Sequence, residues 1–249
     1  MDLGLTGRVA LITGGGRGIG AAIARELARE GCHVALVDLD AVESAETVAR
    51  DIRDSGRRAR ALRADVTSFA AAETTVQTVV REFGRFDILI CNAGITRDAM
   101  VWKLTEEAWD QVLAVNLKGS FAYCRAAAPV FRAQRSGWII TIASINGLRG
   151  KAGQANYAAS KAGMVALTKT VARELGPAGV TANCVAPGMV RTGMAELLPP
   201  EIRDRAIAET AVGRIAEPED VAGMVAFLCS ERARHLTGTV IKVDGGQYM

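Results

Sequence analysis

Tyr157 and Lys161 stand four residues apart in a stretch that reads as helix, Tyr157-Ala158-Ala159-Ser160-Lys161. That spacing puts the phenol and the ammonium on one helix face. A free tyrosine, with a pKa near ~10, is a poor base at neutral pH, and a neighbouring ammonium stabilises its phenolate. The pair is therefore expected to give and take a proton, with the phenol made more acidic by Lys161. Ser144 follows the apolar run Ile139 to Ile142. It should sit at the carboxyl end of a strand, the edge where open α/β sheets bind ligands. Two hydroxyls at one point can stabilise negative charge building on a carbonyl oxygen. Taken singly, a Tyr/Lys pair is an ordinary surface contact and a serine an ordinary loop residue. Their weight comes from a second motif in the same chain.

That motif is Thr13-Gly14-Gly15-Gly16-Arg17-Gly18-Ile19-Gly20, placed between an expected strand and an expected helix. Glycines let a backbone approach a pyrophosphate closely, and a helix N-terminus offers free N–H groups and the positive end of its dipole. The spacing, Gly14-x-x-x-Gly18-x-Gly20, departs from the common G-x-G-x-x-G. Strand, turn, helix, second strand and acid nevertheless occur in the order a dinucleotide site requires. Asp38 ends the second strand, 20 residues after Gly18. An acid there can hydrogen-bond the adenosine ribose 2′-OH and would repel a 2′-phosphate. Arg17 pulls the other way, because a guanidinium can pair with that phosphate. Asp38 lies where the ribose hydroxyls should be, so NAD(H) is expected over NADP(H).

These groups need a scaffold that brings them to one edge. Short apolar runs supply strand candidates: Val9 to Ile12, Val34 to Val37, Ala59 to Ala64, Asp87 to Ile90, Trp138 to Ile142, Val180 to Val185 and Val240 to Val243. Several are continuous β-branched runs, as expected for strands covered on both faces. Periodic helical segments alternate with them, at 19–30, 41–55, 69–83, 106–132, 155–175 and 219–228. Gly31, Gly56, Gly84 and Gly137 each follow a helical stretch and are expected to take positive φ at its end. Pro218 suits a first helical turn. The βαβα order calls for a doubly wound parallel α/β sheet of Rossmann type. About seven strands are expected, with helices on both faces and one domain spanning 1–249. Residues 189–212 are the least regular part, with Pro199-Pro200, and are expected to form a mobile substrate lid within that domain.

Together the motifs resemble the short-chain dehydrogenase/reductase family. The matching residues are Thr13-Gly14-x-x-x-Gly18-x-Gly20, Asn92-Ala93-Gly94, Asn116, Ser144 with Tyr157 13 residues on, Tyr157-x-x-x-Lys161, and Pro187-Gly188 with Thr192. The resemblance implies that Tyr157 is the general acid/base and that Ser144 hydrogen-bonds the substrate oxygen. It implies that Lys161 holds the nicotinamide ribose and tunes Tyr157, and that Asn116 supports a water-linked proton relay. Gly14, Gly16, Arg17, Gly18, Ile19, Gly20 and Asp38 would hold the dinucleotide. Asp65 and Val66 would border its adenine, and Asn92, Ala93 and Gly94 would line the cleft. Pro187, Gly188, Val190 and Thr192 would lie at the nicotinamide end, with Thr192 on the carboxamide. Gln154 joins Ser144 and Tyr157 as a substrate residue. Cys91 stands where many members carry Asn, a change expected to affect packing alone.

Within the family the chain looks most like the 3-oxoacyl-thioester reductases of fatty acid synthesis, through Asn92 to Asp98, Gly153 to Ala159 and Gly245-Gly246-Gln247-Tyr248-Met249. That likeness implies a 3-keto substrate on acyl carrier protein or coenzyme A, and a homotetramer. Arg132 and Arg135 could steer an acidic carrier protein; a solvated helix end is the equal alternative. Two other readings stay open: an NAD-dependent secondary alcohol or hydroxyacyl-CoA dehydrogenase, and a non-catalytic dinucleotide sensor.

Composition bounds the rest. Net charge is +3 and 49% of residues are apolar, so a large core is available and no strong polyanion affinity is implied. The densest basic stretch, Arg57, Arg58, Arg60 and Arg63, has no interleaved aromatics, which argues against nucleic acid. The five cysteines are widely spaced and read as reduced core thiols; the two histidines lack ligand spacing, so no metal is expected. Met1-Asp2-Leu3-Gly4 carries no signal pattern and no apolar run approaches a membrane span, so a cytoplasmic location is expected.

Overall fold

Residues 2–196 and 199–249 are described by the computed structural model. All seven apolar runs form strands: β1 Val9–Thr13, β2 His33–Asp38, β3 Ala59–Arg63, β4 Ile88–Cys91, β5 Gly137–Ile142, β6 Val180–Pro187 and β7 Val240–Val243. They build one parallel sheet in the order β3-β2-β1-β4-β5-β6-β7. The helices are α1 Gly18–Arg29, α2 Val42–Asp54, α3 Phe69–Phe83, α4 Glu106–Val112, α5 Gly119–Gln134, α6 Asn146–Arg149, α7 Ala155–Leu175, α8 Gly193–Glu196, α9 Pro200–Glu209 and α10 Pro218–Leu228.

The strand alternation sorts the core into two halves. Ala10, Ile12, Leu36, Ile88 and Ile90 pack on one face with Ile23 and Leu27 of α1, Val48 of α2 and Val225 of α10. Their neighbours Val9, Leu11, Val37, Leu89 and Cys91 pack on the other with Val76 of α3, Phe131 of α5 and Leu175 of α7. A period of two along each strand demands this, and it is why the strands read as unbroken apolar runs. The chain order reverses at β1, which pairs with β2 on one side and β4 on the other. Connections leave these two strands in opposite directions, and a crevice opens at their carboxyl ends.

Three departures from the sequence pattern have physical causes. The expected helix 106–132 is α4 and α5 joined by a π-helical turn, Leu113–Lys118, with Asn116 inside it. Such turns widen a helix by one residue and often mark functional positions. Gly31, Gly56 and Gly84 do take positive φ, at 100°, 83° and 82°. Gly137 does not; it opens β5, and Arg135 takes the left-handed position at φ 52°. Glycine is needed at 137 for space, because a Cβ there would stand 2.6 Å from the Phe131 ring. Finally, 189–212 is less irregular than expected, since it contains α8 and α9, and Val190 bridges to Ala216. Leu197 and Leu198 of that segment lie outside the described residues.

The five cysteines are free and buried. Among the described residues no helix is long and apolar enough to cross a membrane. The substitution Gly137→Ala should lower stability by about 1–3 kcal/mol through overpacking against Phe131. Its urea-unfolding midpoint against wild type checks this; an unchanged midpoint would show that the Phe131 ring yields freely.

Candidate active site

The crevice is held open by side chains at the ends of β1 and β4. Thr13 Oγ1 accepts from Asn92 N at 3.0 Å and Ala93 N at 3.1 Å. Asn92 Nδ2 donates to Thr13 O and Gly14 O, both at 3.0 Å. The glycine turn is packed into this junction. A Cβ on Gly20 would collide with the Gly14 carbonyl oxygen and stand 2.6 Å from Asn92 Nδ2. Gly14 and Gly18 both have positive φ, 64° and 54°. Half-buried Ile19 begins the first turn of α1, which has no side-chain cap and no acidic residue. Uncapped N–H groups on a helix with its dipole unopposed suit an anion such as a pyrophosphate.

Asp38 is fixed at the rim of the turn. Its carboxylate accepts from Gly16 N at 3.3 Å, Leu39 N at 2.9 Å and Ala41 N at 3.0 Å. Arg17, next to Gly16 in the chain, is exposed. Asp65 turns on itself by accepting from Thr67 N, and half-buried Val66 packs against Gly119. At the far end of the crevice β6 ends in Pro187, whose carbonyl accepts from Ile145 N at 3.0 Å, while Gly188 N donates to Val243 O. Val190 is buried, and Thr192 Cγ2 would lie 3.3 Å from a Cβ at Gly18. The expected dinucleotide residues lie at the carboxyl ends of β1, β2, β4 and β6 and in the segments that follow β3, β4 and β6, and the glycines and open helix N-terminus fit such a ligand.

The expected catalytic residues gather at the other wall. Ser144, 7% exposed, lies two residues past β5, and its Oγ accepts from Asn146 N at 3.2 Å. Tyr157 and Lys161 share a face of α7, with the Lys161 ammonium 5.6 Å from the phenol ring centroid. Lys161 is buried and donates to Ile142 O at 2.7 Å. Asn116 is fully buried: its Oδ1 accepts from Ile95 N at 2.8 Å, and its Nδ2 donates to Ile95 O and Ser160 Oγ. The π turn carries this amide inward, where it clamps the turn after Gly94 against α7. Gly94 packs closely here, since a Cβ would be 3.3 Å from Asn116 Oδ1 and 3.4 Å from Lys161 Nζ. Gln154 Nε2 donates to Asp98 Oδ2 at 2.8 Å and its Oε1 accepts from Asn146 Nδ2 at 3.0 Å.

Several of these positioning groups went unassigned in the sequence. Asn156 donates to Arg97 O and Ala108 O and accepts from Tyr157 N, which seats the start of α7. Ser160 bonds Tyr157 O and Asn116. Asn146 links Ser144, Gln154 and Arg149. The available signal was polarity within the small, weakly polar stretch around Tyr157, since a buried amide must find partners.

The electrostatics differ from the sequence expectation. Burial pushes the Tyr157 phenol up to about 12; a hydrogen bond with Ser144 acts against this and the charge of Asp98 adds to it. Burial likewise pulls Lys161 down to about 8, opposed by Cys184 and Cys91. Burial of the phenol is the larger influence here, with the Lys161 ammonium 5.6 Å from the ring centroid and one of its three N–H donors on Ile142 O. In protein stripped of nucleotide, the difference in absorbance titration between wild type and Tyr157→Phe should show a phenol ionising near 12. A value below 10 would mean that the ammonium outweighs burial.

Comparison with known proteins shows the family. A family model described as Enoyl-(Acyl carrier protein) reductase matches residues 14–247. The chain is 42% identical over 240 residues to a protein named 3-oxoacyl-[acyl-carrier-protein] reductase FabG from Staphylococcus aureus, covering 96% of this chain and 98% of that protein. The Staphylococcus epidermidis protein of the same name is equally similar. An uncharacterized oxidoreductase of Mycobacterium bovis is 41% identical over 98% of both chains. With a matching model over nearly its whole length and relatives this similar, the chain belongs to the short-chain dehydrogenase/reductase family of NAD(P)-dependent oxidoreductases.

Proposed function

We propose that this enzyme reduces the 3-keto group of an acyl thioester, carried on acyl carrier protein or coenzyme A. The observation that carries the reading is the pairing of the Ser144 and Tyr157 hydroxyls at the open end of β5, beside the glycine-lined crevice. A nicotinamide dinucleotide, when bound, supplies or accepts the hydride at the substrate carbon. The protein's part is position and charge. Ser144 Oγ accepts from Asn146 N, which leaves its O–H to donate to the substrate oxygen. Tyr157 gives that oxygen its proton as negative charge develops. Lys161 sits below the phenol, where it can turn from Ile142 O to the nicotinamide ribose. Asn116 and Ser160 hold this face of α7 in place, and the water-linked relay is assigned to Asn116.

NAD(H) is the preferred cofactor in this reading. Three backbone N–H groups orient the Asp38 carboxylate, which favours ribose hydroxyls and repels a 2′-phosphate. The same feature favours a second reading, an NAD-dependent dehydrogenase of secondary alcohols or hydroxyacyl-CoA. Segment 189–212 is the substrate lid, and the whole chain works as one cytoplasmic domain. The family likeness supports a homotetramer, and a groove of Leu113, Ala114, Leu117, Phe121 and Leu167, with Asp110 and Lys118 also lining it, offers a face for a second copy. Arg132 and Arg135 are exposed at the amino end of β5, about 20 Å of strand from Ser144 at ~3.3 Å per residue. A carrier protein steered by them would therefore meet the enzyme at the opposite sheet edge from its own Ser144.

The test is turnover of acetoacetyl thioesters, an enoyl thioester, cyclic ketones and secondary alcohols, each with NADH or NADPH, or with the oxidised forms for alcohols. The expected result is reduction of the 3-keto thioester with NADH preferred; a preference for simple alcohols would select the second reading, and binding without turnover would leave a sensor. In the same assay Tyr157→Phe should lose at least ~10²-fold in turnover while keeping cofactor affinity. The pH dependence follows from the raised phenol. Tyr157 holds its proton far above neutrality while Lys161 titrates at about 8, so kcat/KM for reduction should lose nothing to the phenol from neutral to pH 9 and should fall only as Lys161 gives up its charge. Alcohol oxidation needs the proton removed, so its kcat/KM should climb with pH over that range. A flat oxidation profile would show that the phenol is not the base.

A further inference from the structure

Gln247, near the C-terminus, divides its side-chain amide between two segments of the site. Its Oε1 accepts from Met189 N at 3.0 Å, directly after Pro187-Gly188 at the end of β6. Its Nε2 donates to Glu209 Oε2 at 3.0 Å, on the last residue of α9. The same carboxylate oxygen accepts from Arg149 Nη1 and Nη2 at 3.3 and 3.2 Å, and Arg149 Nη1 also reaches Gln247 O. Arg149 closes α6, and its Nε donates to Asn146 Oδ1, the residue whose N–H meets Ser144. Just beyond α9, Ala211 N and Val212 N both donate to Gly245 O, which lays this stretch on the C-terminal tail.

The contacts therefore join three things that are far apart in sequence: the segment just beyond β6, the end of α9, and the turn that carries Ser144. We propose that Gln247, Glu209 and Arg149 form a latch that holds α9 down and couples its closure to cofactor binding at 187–190, with Gln247 as the positioning residue between the two. This rests on reading 189–212 as the lid and 187–192 as the nicotinamide end. An amide is suited to the middle place because it carries, on separate atoms, an acceptor for the Met189 N–H and a donor for the carboxylate. Arg149 and Glu209 are partly exposed, at 24% and 40%. A pair of that exposure is weakly held in water, as a contact broken in each catalytic cycle must be. By reciprocity, whatever cofactor binding adds to latch closure, latch closure adds to cofactor binding.

The test exchanges donor and acceptor. Gln247→Glu keeps the acceptor for Met189 N but sets two carboxylates against each other. Glu209→Gln keeps the shape and removes the charge that Arg149 grips. The double variant restores the pattern, with an amide at 209 donating to a carboxylate at 247 that still meets Met189 N and Arg149. Backbone hydrogen exchange over 201–209 is measured in the full chain with and without NADH, together with the NADH dissociation constant. In wild type, NADH should slow exchange over 201–209. Each single variant should raise that exchange, remove most of the NADH effect and weaken NADH binding by about tenfold. The double variant should recover to within about twofold of wild type. The latch is overturned if NADH leaves 201–209 unchanged in wild type, if the single variants behave as wild type, or if the double variant is no better than the singles. None of these readouts needs turnover, so the latch can fail while the thioester reaction stands, and the reverse.

Discussion

Two neighbouring strands whose connections depart in opposite directions must be held at a fixed spacing where they part. Here that spacing is set by Thr13 and Asn92, which cross-link the ends of β1 and β4 through four hydrogen bonds. The glycine turn can lie in the gap only because Gly20 offers no Cβ to the Gly14 carbonyl. From that junction the rest is placed in sequence. The turn positions the uncapped start of α1; Asn92 positions Ala93 and Gly94; Gly94 lies against Asn116 and Lys161; and Asn116 ties the turn to α7, which carries Tyr157.

Burial pushes the phenol of Tyr157 up and the ammonium of Lys161 down, so at neutral pH the phenol is neutral while Lys161, at about 8, still carries its charge. A preorganised set of donors of this kind contributes most where charge appears during reaction, because their dipoles are already aimed and need no reorganisation. The simple idea drawn from the i, i+4 spacing, that the ammonium makes the phenol acidic, considers one interaction. The folded site adds desolvation of both groups and a carbonyl, Ile142 O, that competes for the lysine proton.

Polar side chains around this centre form a rim. Asp98, Gln154, Asn146, Arg149, Glu209 and Gln247 are joined by successive hydrogen bonds that run from the loop after β4 to the C-terminal tail. The rim encloses Ser144 and connects the helix above the site with the floor below it.

Local pattern was sufficient for the elements. A strand covered on both faces must be apolar at every position, so β1, β4, β5 and β6 could be read directly, and the order of strands and helices then specified a parallel doubly wound sheet. The glycine turn, Asp38, Ser144 and the Tyr157/Lys161 pair were legible because each lies in a short segment whose chemistry depends on spacing along one chain. Other features depended on contacts between segments. Gly137 looked like a helix end, but its glycine answers to the Phe131 ring. The π turn at Asn116 has no periodic signature, since it exists to bring one amide to Ile95 and Ser160. The acidities of Tyr157 and Lys161 and the Arg149, Glu209 and Gln247 cluster depend on burial and on neighbours tens of residues away. Short-range order is written in composition and period; solvent exclusion and long-range hydrogen bonding come into being only when the sheet closes, and only the tertiary structure could decide them.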